Sequence, residues 1–133
     1  MCTKPHLIFD KVHSVYMEVP CRMCMECRLN YTREWAMRIC NEANSYDNNC
    51  FLTLTFNDEH LPNDNSIHKR DLQLFVKRLR KALVGKKIRY FGCGEYGGKF
   101  GRPHYHIIIF NWYPEDAFYD NTCSKMRSPT LEK

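Results

Sequence analysis

The sequence predicts an α+β domain, an antiparallel sheet with helices packed on one face. Two observations predict it. Segments with helical spacing alternate with short β-branched and aromatic runs, in the order helix, strand, helix, strand, strand. The last two strands flank a glycine-rich stretch of hairpin length. This order is a split βαβ arrangement that lacks its last helix and strand.

Each element has its own signal. Residues 1–20 show no clear period and end at Val19-Pro20, so 1–27 is read as a cysteine-bearing lead. A helix is expected from Arg28 to about Ser45, where Leu29, Ala36, Ile39, Cys40 and Ala43 recur at helical spacing. Asp47-Asn48-Asn49 ends it. Cys50 to Phe56 alternates as a strand, with Leu52 and Leu54 on one face and Thr53 and Thr55 on the other. Asn57 to Ser66 is a loop. The second helix runs from Lys69 to Leu83, burying Leu72, Phe75, Val76, Leu79 and Leu83, with Gly85 as its stop. Ile88 to Glu95 is a strand, Tyr96 to Arg102 a hairpin loop, and Pro103 to Phe110 the last strand. The core thus covers 28–111, and 112–133 is read as an irregular tail.

Composition excludes several classes. The 133 residues include 18 aromatics and no low-complexity tract, which excludes disorder as the main description. The longest apolar run, Ile107 to Phe110, is far short of the ~20 residues a membrane span needs. No secretory signal is visible, because Leu7-Ile8-Phe9 stops at Asp10. The eight cysteines are therefore expected in a reducing interior, as free thiols or metal thiolates. Cys40, Cys50 and Cys93 read as ordinary buried thiols.

The charge is uneven. Residues 66–102 carry eleven Lys/Arg and two acids, whereas the segments on either side are slightly acidic. A basic segment in a folded domain points to a polyanion, usually nucleic acid; a solvated helix face is the plain alternative. Lys77, Arg78 and Lys81 on the second helix, with Lys99 and Arg102 in the hairpin, are the candidates for DNA contact.

His104 and His106, two apart on a strand, face the same way. A hairpin closed around residues 99–100 sets Glu95 nearly opposite His104. Two imidazoles and one carboxylate can hold a divalent ion with positions left open for substrate. Such a set suits Mn²⁺ or Mg²⁺; satisfied sheet histidines are the plain alternative. Cys21, Cys24 and Cys27, with Cys2 as a fourth ligand, can surround a structural zinc. The alternatives there are an iron–sulfur cluster or reduced thiols at a helix start.

The segments FLTLTF (51–56), CGEYGGKFGRPHYHIIIF (93–110), VPCRMCMECRLNYTREWAMR (19–38) and KRDLQLFVKRLRK (69–81) together resemble the replication initiators of small single-stranded DNA phages of the gokushovirus/microvirus type. These are HUH endonucleases, with Tyr105 as the central bulky residue here. The resemblance implies a metal-dependent nickase that opens one strand at a replication origin and later rejoins it. It implies His104, His106 and Glu95 as metal ligands, and places Thr53 and Thr55 in a first motif at the DNA. It implies single-stranded origin DNA and host replication machinery as partners, in the cytoplasm of a bacterial host, with no membrane. The family's nucleophilic tyrosine lies on a downstream helix with a Tyr-x-x-Lys pattern. Tyr113 and Tyr119 do not match it, so the chain is expected to be the N-terminal part of a longer initiator, carrying the metal site without the nucleophile. A non-catalytic single-stranded DNA-binding module is the competing reading. A histidine-triad hydrolase is disfavoured, because Ile108 stands where its third histidine belongs.

Overall fold

The computed structural model describes residues 1–120 and 125–127. They form two compact units, Met1–Glu42 and Ala43–Lys133.

The first unit opens with an antiparallel hairpin of β1 (His6–Asp10) and β2 (Val15–Val19). Its turn is held by Asp10, whose carboxylate accepts from the Val12 N–H at 2.9 Å. Ser14 turns through the left-handed region with φ of 52°. Phe9 pairs with Tyr16 across the strands, ring centroids 5.0 Å apart. This hairpin corrects the expectation of an irregular lead. Nearly every residue of both strands is exposed, so there is no inside–outside alternation to read. The helix α1 (Met25–Ala43) follows, starting three residues earlier than the periodicity suggests. Only Cys27 on it is buried; Leu29, expected in an apolar stripe, is exposed.

The second unit holds β3 (Asn49–Thr55), a 3-10 turn (Asp58–His60), α2 (Lys69–Ala82), β4 (Arg89–Tyr96) and β5 (Pro103–Phe110). The sheet order is β3-β5-β4, and β5 runs antiparallel to both neighbours. Strands β3 and β4 are therefore parallel to each other, joined by α2, with β5 inserted between them. That is the split βαβ unit. The α+β class and antiparallel sheet are as expected. Of the stretch read as an irregular tail, Phe118–Asp120 (β6) and Lys125–Arg127 (β7) pair antiparallel; residues 121–124 and 128–133 lie outside the described residues.

The core of this unit lies on one face of β5. Ile107 and Ile109 are fully buried and pack with Val76 and Leu79 of α2, Ile88 and Trp112. Leu52 and Leu54 of β3, with Leu72, Phe75 and Leu83, complete the layer. Each of these aliphatic side chains contributes roughly 1.5–3 kcal/mol by leaving water. The helix α2 ends as expected: the Leu83 N–H donates to Leu79 O at 2.9 Å, and Gly85 turns out with φ of 79°.

The entry to α2 is fixed by the sheet. His68 occupies the N-cap position without a side-chain cap bond. Instead the Ile67 N–H donates to the Tyr96 hydroxyl at 3.1 Å, and the His68 N–H to the Tyr105 hydroxyl at 3.0 Å. The two tyrosines thus satisfy backbone donors that helix starts leave open. Gly92 and Gly94 allow this close approach. A Cβ on Gly92 would meet Leu72 Cδ2 at 2.8 Å, and one on Gly94 would overlap Ile67 Cγ2.

Gly94→Ala should therefore destabilise the second unit by about 1–3 kcal/mol, through overpacking against a β-branched side chain that cannot swing away. Gly98→Ala meets nothing within 4 Å and should be close to neutral. Urea denaturation of the two variants checks this; equal midpoints would mean that the Ile67–sheet contact is not tight.

Candidate metal centre

Strand alternation divides β5 between two environments. Tyr105, Ile107 and Ile109 face α2, and His104, His106 and Ile108 face the other way. The register brings three rows together on that second face: Thr55, His104 and Glu95; Thr53, His106 and Cys93; Phe51, Ile108 and Phe91. Glu95 lies directly opposite His104, as expected from a hairpin closing around residues 99–100. That closure is made by the Gly97 N–H donating to Arg102 O at 2.9 Å and the Gly101 N–H to Gly97 O at 2.8 Å. Gly101 has φ of 60°, a conformation that favours glycine.

The ligand atoms converge. Glu95 Oε2 lies 3.0 Å from His106 Nε2 and 3.6 Å from His104 Nε2. One ligand atom from each of the three residues lies within 4.8 Å of the others. The histidine rings stand perpendicular, with centroids 5.0 Å apart. Their other nitrogens have partners: His104 Nδ1 is 3.3 Å from Arg102 O, and His106 Nδ1 is 3.2 Å from Thr53 Oγ1. An Nδ1–H donated to the Arg102 carbonyl leaves the His104 Nε2 lone pair facing Glu95. Two imidazole nitrogens and one carboxylate oxygen, on an open sheet face, fit a hard or borderline divalent ion with sites free for substrate.

The other expected site residues divide. Thr53 and Thr55 lie in the rows with the histidines. Lys77, Arg78 and Lys81 are on α2, which packs on the opposite face of the sheet. Arg102 is engaged within the protein, donating to Asp58 Oδ1 and to Phe56 O, each at 2.7 Å. It joins the exit of β3 to the base of the hairpin. Lys99 sits in the hairpin loop, its Nζ 5.3 Å from the Phe100 ring centre.

Two residues on the ligand face are missing from the sequence reading of the site. Phe51 is 62% exposed and stacks on His106 at 5.4 Å. Cys93, expected to be buried, is exposed and pairs with His106 across the sheet. Both share the parity of residues already assigned, Thr53 and Glu95, so the signal is present in the sequence. Cys40, also expected to be buried, is likewise exposed on α1; Cys50 is partly buried beside the core, and burial pushes its thiol up to about 11.

None of the tyrosines of this sheet faces the ligands. The Tyr96 and Tyr105 hydroxyls bond the segment leading into α2, and burial raises the Tyr105 pKa. Tyr90 lies near Arg80 of α2, 5.6 Å from the guanidinium. Tyr113 is exposed beyond the end of β5, four residues or about 13 Å of strand from His106 before the turn begins.

A second ligand group lies in the first unit. Cys2, Cys21, Cys24 and Cys27 each place a sulfur within 4.8 Å of the others. Cys21 and Cys27 sulfurs are 4.0 Å apart, as are those of Cys24 and Cys2. The Cys21 N–H donates to Cys2 Sγ and the Cys24 N–H to Cys21 Sγ, both at 3.3 Å. The backbone N–H groups of Thr3 and Cys27 hold the Cys24 thiol down to about 5, and burial pushes Cys27 up to about 12.

A family model for replication-associated proteins of the ORF2 type matches residues 49–131. Replication-associated protein VP4 of Bdellovibrio phage phiMH2K is 48% identical over 105 residues, covering 74% of this chain and 33% of that protein. Replication-associated protein ORF4 of Chlamydia phage 1 is 37% identical over 110 residues, covering 80% of this chain and 27% of that protein. Replication-associated protein ORF2 of Spiroplasma virus 4 is 41% identical over 113 residues, covering 77% and 34%. The chain thus spans about a third or less of the length of these curated relatives. No solved structure matches it.

Calorimetric titration with Mn²⁺ should show one site lost on His104→Ala or His106→Ala. Thr53→Val keeps every ligand and removes only the partner of His106 Nδ1, so it should weaken binding by about 10–100-fold. Unchanged binding in both histidine variants would show that the three side chains hold each other rather than an ion.

Proposed function

The chain belongs to the family of ORF2-type replication-associated proteins, and on that premise we propose that it supplies the metal and DNA-binding part of a rolling-circle replication initiator that nicks and rejoins single-stranded origin DNA. The observation that carries this reading is the convergence of Glu95, His104 and His106 on an open sheet face. A buried structural ion would need no such access.

The roles follow from position. His104 and His106, backed by Arg102 O and Thr53, and Glu95 from the neighbouring strand hold Mn²⁺ or Mg²⁺. The bound ion supplies electrophilic polarisation of a phosphodiester through a non-bridging oxygen. Thr53 and Thr55 border the place where that phosphate lies. Phe51 offers an exposed aromatic face beside it, on which a neighbouring base can stack. The nucleophile is a tyrosine outside this chain. Its oxygen bonds to phosphorus, the bond to the 3′ oxygen breaks, and the phenolic proton is released. The products are a 5′-phosphotyrosine and a free 3′-hydroxyl that primes synthesis; the reverse attack rejoins the strand. The site of action on this reading is the cytoplasm of an infected bacterium, where host polymerase extends the 3′ end.

A second reading, a DNA-binding module without catalysis, is favoured for the isolated chain by the position of its sheet tyrosines. Incubation with Mn²⁺ and labelled single-stranded origin DNA separates the two roles. The chain alone should bind DNA and form no covalent adduct. A longer protein carrying a downstream tyrosine should form one, and lose it with His104→Ala. An adduct on the chain itself that disappears on Tyr96→Phe or Tyr113→Phe would overturn the location of the nucleophile.

The basic face of α2 is assigned to a DNA segment away from the metal. Neutralising Lys77, Arg78 and Lys81 should flatten the salt dependence of single-strand binding by up to ~0.7 log units per lost contact. Mn²⁺ binding should stay intact, because these residues lie across the sheet from the ligands. An unchanged slope would return them to solvent.

A further inference from the structure

The first unit has no apolar core of its own. Among the described residues of Met1–Glu42, the buried ones are Cys21 and Cys27. Its hairpin is exposed on both faces, and the stripe on α1 that the sequence marks for burial is largely open. A unit of this size, near 40 residues, needs a metal, disulfides or a partner to hold together. Its buried centre is made of sulfur.

We propose that Cys2, Cys21, Cys24 and Cys27 bind one zinc ion that is the core of the N-terminal unit, joining the chain start and the loop after β2 to the first turn of α1. A tetrahedral zinc with Zn–S bonds of ~2.3 Å sets its sulfurs about 3.8 Å apart. The 4.0 Å pairs, within a group spanning at most 4.8 Å, are close to that spacing. The same sulfurs are too close together to enclose an iron–sulfur cluster with its own sulfides, and too far apart for a disulfide bond. The Cys21 and Cys24 N–H groups already donate to sulfur, as stabilised thiolates require. Arg22, with φ of 60°, provides the left-handed turn between Cys21 and Cys24. The site takes a soft-ligand ion, whereas Glu95, His104 and His106 offer a nitrogen and oxygen set. The proposal is therefore independent of the nicking function.

The test uses the full 133-residue chain, purified under reducing conditions, with His104→Ala and His106→Ala introduced to remove the other site. Elemental analysis should find stoichiometric zinc, retained in Cys40→Ser and lost in Cys24→Ser. Cobalt replacing the zinc should give thiolate charge-transfer and tetrahedral d–d bands, a readout that does not depend on any cysteine variant folding. Removing the metal should abolish amide-exchange protection in 1–42 while sparing β3, β4 and β5. Stoichiometric iron, absence of metal, zinc retained in Cys24→Ser, or protection of 1–42 that survives chelation would each overturn the proposal.

Discussion

The second unit depends on β5 being hydrogen-bonded along both edges. A strand with neighbours on each side has its backbone fully occupied, so its side chains are free to divide between two faces. On one face Ile107 and Ile109 are sealed against α2. On the other, one residue out of step, His104 and His106 remain accessible. A register shift of one residue would bury both imidazoles and expose the isoleucines, so hydrophobic packing specifies the chemistry without touching it. Tyr105 shows the same division within the histidine pair. It stands between the two ligands, and its hydroxyl reaches through to the start of α2.

Charge is divided by the same sheet. The strongest concentration of Lys and Arg in the chain lies on α2, behind the ligand face rather than beside it. Near the ligands, the cation with a built position is Arg102, and Asp58 already holds it at 2.7 Å. The ligand face therefore has little fixed positive charge of its own. A bound divalent ion would be its main source of attraction for phosphate, which makes the ion part of substrate recognition as well as of catalysis.

Much of this is legible in the sequence because it is local and periodic. The bounds of Pro103 to Phe110 are those of β5, the pairing of Glu95 with His104 follows from the midpoint of the glycine loop, and the stripe of α2 is the buried one. The rest is hidden for physical reasons. The β1–β2 hairpin is exposed on both faces, so hydrophobicity carries no period there. Arg102 reads as a free hairpin cation because its partners, Asp58 and Phe56, are more than forty residues away in sequence. The expectation of a buried Cys93 rests on the average behaviour of its residue type, although two-residue alternation from Glu95 puts it on the open face. Composition also locates the positive charge along the chain without saying which side of the sheet it occupies.

The hairpin of β4 and β5 brings together ligands separated by no more than eleven residues: Glu95, His104 and His106. Their support comes from much further off. Thr53, which partners His106, is fifty-three residues away, on the strand that pairs with the far edge of β5. The ligand set is thus a low-contact-order object, assembled by closing one short loop. Its orientation is a high-contact-order property, reached only when β3 docks. In folding terms the capacity to gather an ion precedes the geometry that holds it, and the two are encoded in different stretches of the chain.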